Sequence, residues 1–222
     1  MNGVLGSDDS YNKKWQLRES HNCYSYLLNL KSPEAENLCM TEYENLNYCR
    51  RSQPGYAAGY DVLEKENLTC PEVMMRTLAD NPEIKPTTFE QPCDLDSYKG
   101  ALVVDPGNDY HYYRLNDEGY WTHKAGYKPS SAYDAKGKLI YNPQEASRNY
   151  GRLNYSDFCG YFCVPRQNTK KRMYHKPLRK RSNKSQHGEN SQKIQNSQRV
   201  QRIQNMQKSQ RSQRSKRNKN QR

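Results

Sequence analysis

Long apolar segments are missing from this chain of 222 residues. No run approaches the roughly 18 apolar residues that a membrane-spanning helix needs, so we expect no transmembrane segment. The start of the chain also lacks the apolar stretch of a secretory signal, and we therefore expect an intracellular protein. Hydrophobic residues make up only 33% of the chain, below the roughly 45–50% of an average soluble domain, so part of it should not bury a core.

Acidic residues are almost absent from the C-terminal part. Residues 166–222 hold 19 of the 36 Lys and Arg residues and a single acid, Glu189, for a net charge of +18, whereas residues 1–165 carry −6. This part is mostly Gln, Asn and Ser besides its basic residues, which predicts a disordered basic tail. Such a tail attracts nucleic acid and other polyanions by counterion release. The densest basic clusters, which also match nuclear import signals, are Lys170, Lys171, Arg172, Arg179, Lys180 and Arg181.

Close cysteine pairs, which mark structural zinc sites, are scarce as well. Of the seven cysteines, Cys159 and Cys163 form the single close pair in sequence, so we expect neither a metal nor a cofactor. Without an export signal the sequence favours reduced thiols over disulfides, and buried packing for Cys159 and Cys163, without deciding the redox state of individual cysteines. Those whose state stays open are Cys39, Cys49, Cys70, Cys93, Cys159 and Cys163.

The part before the tail is rich in tyrosine and predicts one globular α+β domain at residues 20–165, after an N-terminal extension at residues 1–19. Its first helix should begin at Cys23, capped by Asn22, and end before Pro33. A second helix should begin at Pro71. From residue 100 onward, short apolar and aromatic runs separated by glycine-containing turns predict antiparallel strands.

Two histidines belong to the strands of one predicted hairpin, residues 110–115 and 120–124. A four-residue loop at residues 116–119 would place His111 and His123 on opposite faces. If Gly119 instead takes the left-handed position of a three-residue turn, Tyr113 pairs with His123, and His111 lies diagonally on the same face. The glycine favours this second register, in which both imidazoles point to one surface.

Cys23 is the candidate nucleophile. A cysteine in the first turn of a helix lies near unpaired N–H groups that favour the thiolate and lower its pKa. It also needs an imidazole to accept its proton and a third group to orient that imidazole. His21 is a rival base. If His123 points away, the carboxylates of Asp109, Asp117 and Asp134 are candidates for the orienting group.

The pattern of a short apolar strand, a turn, His111, a hairpin and His123 resembles the core of the NlpC/P60 branch of papain-like cysteine hydrolases. The resemblance implies a papain-like fold, with an N-terminal helix packed on a small antiparallel sheet. It assigns Cys23 as nucleophile, His111 as base and His123 as the orienting partner, with an insertion near residues 35–95. Residues 109–124 and 154–163 also resemble uncharacterised proteins of giant DNA viruses of amoebae.

Two functions follow as expectations. The first is a cysteine-dependent amide-bond hydrolase of peptidase or amidase type, which acts on a peptide or N-acyl amide through Cys23, His111 and His123 and binds polyanions through its tail. The second is a non-enzymatic virion or nucleic-acid-packaging protein that binds through residues 166–222. The expected location is intracellular, with the virion or the nucleus as specific candidates.

Overall fold

A computed structural model describes residues 10–176, where helices combine with one six-stranded antiparallel sheet. The helices are α1 (Ser10–Lys13), α2 (Trp15–Ser20), α3 (Cys23–Leu28), α4 (Pro33–Leu46) and α5 (Cys70–Asp80), with short 3-10 helices at Lys65–Asn67 and Asn168–Lys170. The strands are β1 (Lys85–Thr87), β2 (Ser97–Asp105), β3 (Asp109–Leu115), β4 (Trp121–Lys124), β5 (Ser130–Ser131) and β6 (Asp157–Pro165). The predicted mixture of helices and an antiparallel sheet is confirmed. None of the helices described between residues 10 and 176 is both long and apolar enough to cross a membrane.

The sheet has the strand order β1-β6-β2-β3-β4-β5. Its centre is the meander β2-β3-β4, which the sequence predicts from the turns that contain Gly107 and Gly119. Strand β6 comes from the end of the domain and lies between β1 and β2. The predicted hairpin is therefore part of the meander, and β6 pairs with the edge of β2 that faces away from β3.

Apolar side chains cover both faces of the sheet. On one face, alternate residues of β2 and β3 such as Val104 and Tyr112 pack against α3 and α5. On the other face, Val103 and Tyr113 pack against Trp121 and the loop residue Ile140. Both faces are buried, so a polar side chain on these strands, such as a histidine, needs hydrogen-bond partners within the protein.

Helix α3 lies unusually close to the sheet. Gly100 of β2 makes this possible, because a Cβ atom at this position would lie 2.6 Å from Leu27 Cδ1 and 2.6 Å from a ring carbon of Phe162. On the side of β4, the buried Lys124 ammonium donates to the carbonyls of Arg18 and His21, both at 2.6 Å. These contacts fix the start of α3 beside the end of β4.

The domain extends beyond the predicted bounds at both ends. Residues 10–19 are not a separate extension, because Tyr11 and Leu17 are buried against Tyr26 of α3. At the other end, one compact unit continues to Lys176 rather than ending at 165. Arg172, for example, donates from Nε to the carbonyl of Asp80 over 3.0 Å. The rest of the predicted tail, residues 177–222, lies outside the described residues.

The segment predicted as an insertion, residues 35–95, contains most of α4, all of α5 and β1. The first helix is expected to end before Pro33. In the structure Pro33 is the first residue of the next helix, α4, where its missing N–H costs nothing. Ser32 caps that helix by accepting a hydrogen bond from the N–H of Ala35. The predicted helices at Cys23 and near Pro71 are confirmed as α3 and α5.

Six of the seven cysteines form disulfides, so the expectation of reduced thiols is wrong for them. The bonds join Cys39 to Cys49, Cys70 to Cys159, and Cys93 to Cys163. Cys159 and Cys163 are therefore bonded partners of α5 and of the loop before β2, not independent packing residues. Cys23 is the cysteine left as a free thiol.

Removing the long-range disulfide should destabilise the domain more than removing the local one. The Cys70–Cys159 bond spans 89 residues of sequence and the Cys39–Cys49 bond spans 10. The loop-entropy relation predicts losses in the free energy of unfolding of about 5 kcal/mol for Cys70→Ala/Cys159→Ala and about 3 kcal/mol for Cys39→Ala/Cys49→Ala. Urea unfolding of both double variants measures the difference. Equal losses, or a larger loss for the second variant, would contradict this ranking.

Candidate functional site

His111 on β3 and His123 on β4 are in direct contact. The observed register pairs Tyr113 with His123, as the sequence predicts for a turn with Gly119 in the left-handed position, and Gly119 has a φ of +88°. The Nε2 atom of His111 lies 2.7 Å from the Nδ1 atom of His123. The two rings are perpendicular, with centroids 4.9 Å apart. The prediction that both imidazoles share one face is confirmed.

A backbone carbonyl sets the proton positions on both rings. The Nε2 atom of His123 lies 3.0 Å from the carbonyl oxygen of Tyr133. Because a carbonyl can only accept, this Nε2 must carry the proton, and the Nδ1 atom of a neutral His123 must then be an acceptor. His111 consequently donates its Nε2–H to His123. The Nδ1 atom of His111 is left with a free lone pair, which is what a general base requires.

Both imidazoles are uncharged at neutral pH. Burial lowers the pKa of His111 well below its ordinary value, and a positive charge on His123 would lower it further. Burial also lowers the pKa of His123, partly offset by its hydrogen bond to Tyr133. The neutral state that the tautomer assignment needs is therefore the resting state of the pair.

Cys23 is the first residue of α3 and lies at an open edge of β3. Asn22 caps the helix through a 3.2 Å hydrogen bond from the N–H of Ser25 to its side-chain oxygen. Strand β4 pairs with residues 113–115 of β3, so in the described register it leaves residues 109–112 uncovered on that side. The Cys23 Sγ atom lies there, 3.9 Å from the carbonyl oxygen of Tyr110.

The thiol and the imidazoles approach this edge from opposite faces of the sheet. Cys23 packs with Tyr110 and Tyr112 on the helix side. The ring of His111 points to the other side, where it contacts the ring of Tyr155 at a centroid distance of 5.3 Å. The hydrogen bond of the thiol goes to Tyr110 rather than to an imidazole. All three predicted site residues nevertheless line one cavity of about 850 Å³.

The expectation of a lowered thiol pKa is wrong. Burial, together with the nearby charge of Asp109, raises the pKa of Cys23 to about 12. Backbone N–H groups of Tyr112 and Tyr24 oppose this shift. Helix α3 has only six residues, and a side chain that is 5% exposed loses more from desolvation than it gains from the end of so short a helix. At neutral pH the resting residue is a protonated thiol.

The cavity has an aromatic wall, and polar side chains, Gln53 among them, also line it. Its tyrosines are Tyr48, Tyr56, Tyr110, Tyr127, Tyr133, Tyr150 and Tyr155. Asn22 donates to the carbonyl of Ser52 over 2.9 Å, which ties the loop of Ser52 and Gln53 to the residue before Cys23. Gln53 lines the same cavity as Cys23. Sequence reasoning missed both Gln53 and the Tyr133 carbonyl. Neither has a local signal in the sequence. The position of Gln53 depends on a contact between loops, and the Tyr133 acceptor is a backbone carbonyl, which any residue has.

The rival site residues have structural roles. His21 has both ring nitrogens engaged, one with Ser20 Oγ at 2.8 Å and the other as acceptor from the N–H of Ser32 at 3.0 Å. It cannot act as the base. Asp134 accepts from backbone N–H groups of its own loop. Asp109 accepts from the hydroxyl of Tyr155 over 2.8 Å, and Asp117 pairs with Arg166 at 3.8 Å.

The basic residues predicted to bind nucleic acid fall into two groups. Lys170, Lys171 and Arg172 belong to the folded domain: Lys170 pairs with Asp96 at 3.6 Å, and Lys171 is buried. A buried ammonium cannot meet a phosphate backbone at the surface. Arg179, Lys180 and Arg181 lie outside the described residues. No group of three or more His, Cys, Asp or Glu side chains suited to a metal ion occurs within residues 10–176.

The described residues define a disulfide-bonded α+β domain with one free thiol and a neutral imidazole pair at a common cavity. The chain is 32% identical over 148 residues to Insoluble matrix shell protein 1 of Ruditapes philippinarum, a match that covers 67% of this chain and 82% of the relative. It therefore belongs to the same family as that protein. No protein-family model matches the chain, and no solved structure matches it significantly.

Acid should destabilise the domain through its buried histidines. Burial lowers the pKa of His21 to about 3 and lowers the pKa values of His111, His123 and His175. In the unfolded chain these groups take up protons near pH 6.5. Below that pH the unfolded state binds more protons than the folded state, so stability falls as pH falls.

Between pH 6.5 and 5 we expect a loss of roughly 2 kcal/mol for each histidine that stays uncharged in the fold. Urea unfolding from pH 7.5 to 5 measures the slope. The variant His111→Gln/His123→Gln should show a shallower slope than the unchanged protein. A stability that does not depend on pH in this range would contradict the neutral histidine pair.

Proposed function

We propose that this domain is a cysteine-dependent amide-bond hydrolase in which Cys23 is the nucleophile, His111 the general base and His123 the orienting residue. The observation that carries the proposal is the hydrogen-bond chain from the Tyr133 carbonyl through both rings. It leaves a lone pair on Nδ1 of His111, in the cavity lined by the one cysteine that is not in a disulfide. Nδ1 is also the ring nitrogen closer to the His111 backbone, next to the carbonyl that Cys23 contacts.

The raised thiol pKa implies that deprotonation accompanies attack. As Sγ of Cys23 bonds to the amide carbonyl carbon, its proton passes to Nδ1 of His111. The imidazolium that forms donates from Nε2 to His123. It then returns the proton to the leaving amine when the carbon–nitrogen bond breaks. Water, deprotonated by His111, cleaves the resulting thioester and releases the acid and the free thiol.

The negative charge on the carbonyl oxygen needs hydrogen-bond donors at the same point. The backbone N–H of Cys23 is one, because the first N–H groups of a helix have no partner within it. Gln53 is our candidate for the second. Its side chain lines the cavity, and the contact between Asn22 and Ser52 ties its loop to the residue before the nucleophile.

The order of these elements supports a papain-like arrangement of the NlpC/P60 type. The nucleophile begins a helix packed on an antiparallel sheet. The base and its partner follow on a hairpin, twelve residues apart in sequence. Peptide, isopeptide and N-acyl amide bonds are the substrates of this chemistry, and an aromatic wall suits a substrate with flat or apolar groups beside the cleaved bond.

The location of the protein is also a proposal. Three disulfides favour an oxidising compartment, and the relative is a shell matrix protein by name. We infer that the domain acts in an extracellular matrix, where peptide and N-acyl amide bonds are abundant. The expected intracellular or virion location and the resemblance to giant-virus proteins stay predictions.

A second candidate function is a non-enzymatic matrix protein that binds polyanions. The name of the relative favours it, as does the net charge of +18 at residues 166–222. The disulfides would then serve durability, and the cavity would have no chemical role. Packaging of nucleic acid, the alternative expected from the sequence, would use the same tail and the same electrostatic attraction.

A peptidyl acyloxymethyl ketone, whose carbonyl imitates the substrate, should label Cys23 in the unreduced protein. His111→Ala should slow this labelling by about 100-fold or more, because the thiol is protonated at rest and needs the base. His175→Ala is the matched control, since the ring of His175 contacts Ser20 and His21 instead of the proposed site residues. Mass spectrometry of the labelled peptide measures the rate. Labelling that is equally fast without His111 would exclude the proposed base.

A chain that ends at Lys176 separates the two functions. We expect it to keep its labelling by the ketone probe and to lose most of its salt-dependent binding to heparin or duplex DNA, because most of the positive charge follows residue 176. Electrophoretic mobility shifts at two salt concentrations measure the binding. If neither the full chain nor the shortened chain reacts with the probe, the polyanion-binding function alone is supported.

A further inference from the structure

Two buried cations near Tyr98 have N–H groups without partners. Arg114 of β3 is fully buried and Lys171 is 5% exposed. The Nε and Nη2 atoms of Arg114 and the Nζ atom of Lys171 have no hydrogen-bond partner in the described part of the protein. Leaving such groups unpaired in a protein interior costs free energy, more for charged than for neutral donors.

Arg114 is held in place by other atoms. Its Nη1 donates to the carbonyl of Tyr26 over 2.9 Å and to the side-chain oxygen of Asn29 over 3.1 Å. The guanidinium carbon also lies 4.0 Å from the centre of the Tyr26 ring. The opposite edge of the guanidinium, formed by Nε and Nη2, therefore has a fixed position and points away from these partners.

Two further cations, Lys171 and Arg166, lie near this edge. Lys171 Nζ lies 5.5 Å from the centre of the Tyr98 ring, and the guanidinium carbon of Arg166 lies 5.9 Å from it. Burial lowers the pKa of Lys171 to about 8, and the charges of Arg114 and Arg166 contribute. Among the described ion pairs, neither Arg114 nor Lys171 has a carboxylate partner. A negatively charged partner is what Arg114 and Lys171 lack.

The shape of the unpaired edge indicates the kind of anion. Nε–H and Nη2–H of a guanidinium are parallel donors whose spacing matches two oxygen atoms of one carboxylate, carbonate or phosphate group. A monatomic ion cannot accept both bonds with the same geometry. Lys171 adds a point charge, and it lines a cavity of about 620 Å³. Arg114 is not among the residues that line this cavity, so an anion would enter from the side of Lys171.

We propose that Arg114 and Lys171 form a binding site for a small oxyanion, held by the Nε/Nη2 edge of Arg114 and by Nζ of Lys171. Neither residue lines the cavity of Cys23. The site is therefore independent of the proposed hydrolase function. An oxyanion bound here would link β3 to the segment after β6 and stabilise the end of the domain by mass action.

Thermal unfolding of the full chain tests the site. Sodium phosphate, sodium acetate and sodium chloride are compared at equal ionic strength and pH. For the unchanged protein we expect a Tm that rises by about 2–6 °C with phosphate or acetate and saturates, but not with chloride. The difference between phosphate and acetate shows whether the site prefers a tetrahedral or a planar oxyanion.

Lys171→Met should remove this response, whereas the matched control Lys170→Met, at an exposed neighbouring lysine, should keep it. The basic tail is identical in both variants, so its non-specific binding cancels. A second measurement needs no variant: the Nε–H resonance of Arg114 in the unchanged protein should shift with phosphate and saturate at the same concentration. Equal effects of phosphate and chloride, an unchanged response in Lys171→Met, or an Arg114 resonance that does not move would each overturn the proposal.

Discussion

The geometry of the site depends on the turn between β3 and β4. The side-chain oxygen of Asn116 accepts backbone hydrogen bonds from Glu118 and Tyr120 at 3.1 and 3.0 Å, and Gly119 supplies the left-handed residue. This turn fixes the register of the two strands. Because side chains alternate between faces, a slip of one residue would move His123 to the opposite face from His111. The hydrogen bond between the rings, and the free lone pair that it creates, would then be lost.

Local features of the sequence predict this part of the fold well. A glycine that favours the left-handed conformation selects between two hairpin registers, and Asn22 caps α3 as expected, since both effects act within a few residues. The disulfide between Cys70 and Cys159 and the position of β6 between β1 and β2 have no such local signal. Helix α4 does have a local signal, the capping residue Ser32. Pro33, however, can either end a helix or begin one, and only the tertiary structure decides between these two roles.

The chemistry of the site was harder to predict than its geometry. The hairpin register places His111 and His123 together, and the packing of α3 brings Cys23 to the same cavity. The protonation states depend instead on burial and on a backbone carbonyl. Burial outweighs the end of a short helix at Cys23, so the thiol rests protonated. The Tyr133 carbonyl is placed by a loop and has no side-chain signature, yet it orients both imidazoles. Three disulfides are compatible with such a site, because Cys23, the one cysteine outside the disulfides, lines this cavity.

Nitrogen-15 NMR of the histidine rings is the most direct test of the proposed proton chain. We expect His111 and His123 at pH 7 to be neutral, each with a protonated Nε2 and an unprotonated Nδ1. An imidazolium at either position, or a His111 that carries its proton on Nδ1, would mean that Nδ1 of His111 has no lone pair to accept the thiol proton and would contradict the assignment of His111 as the base.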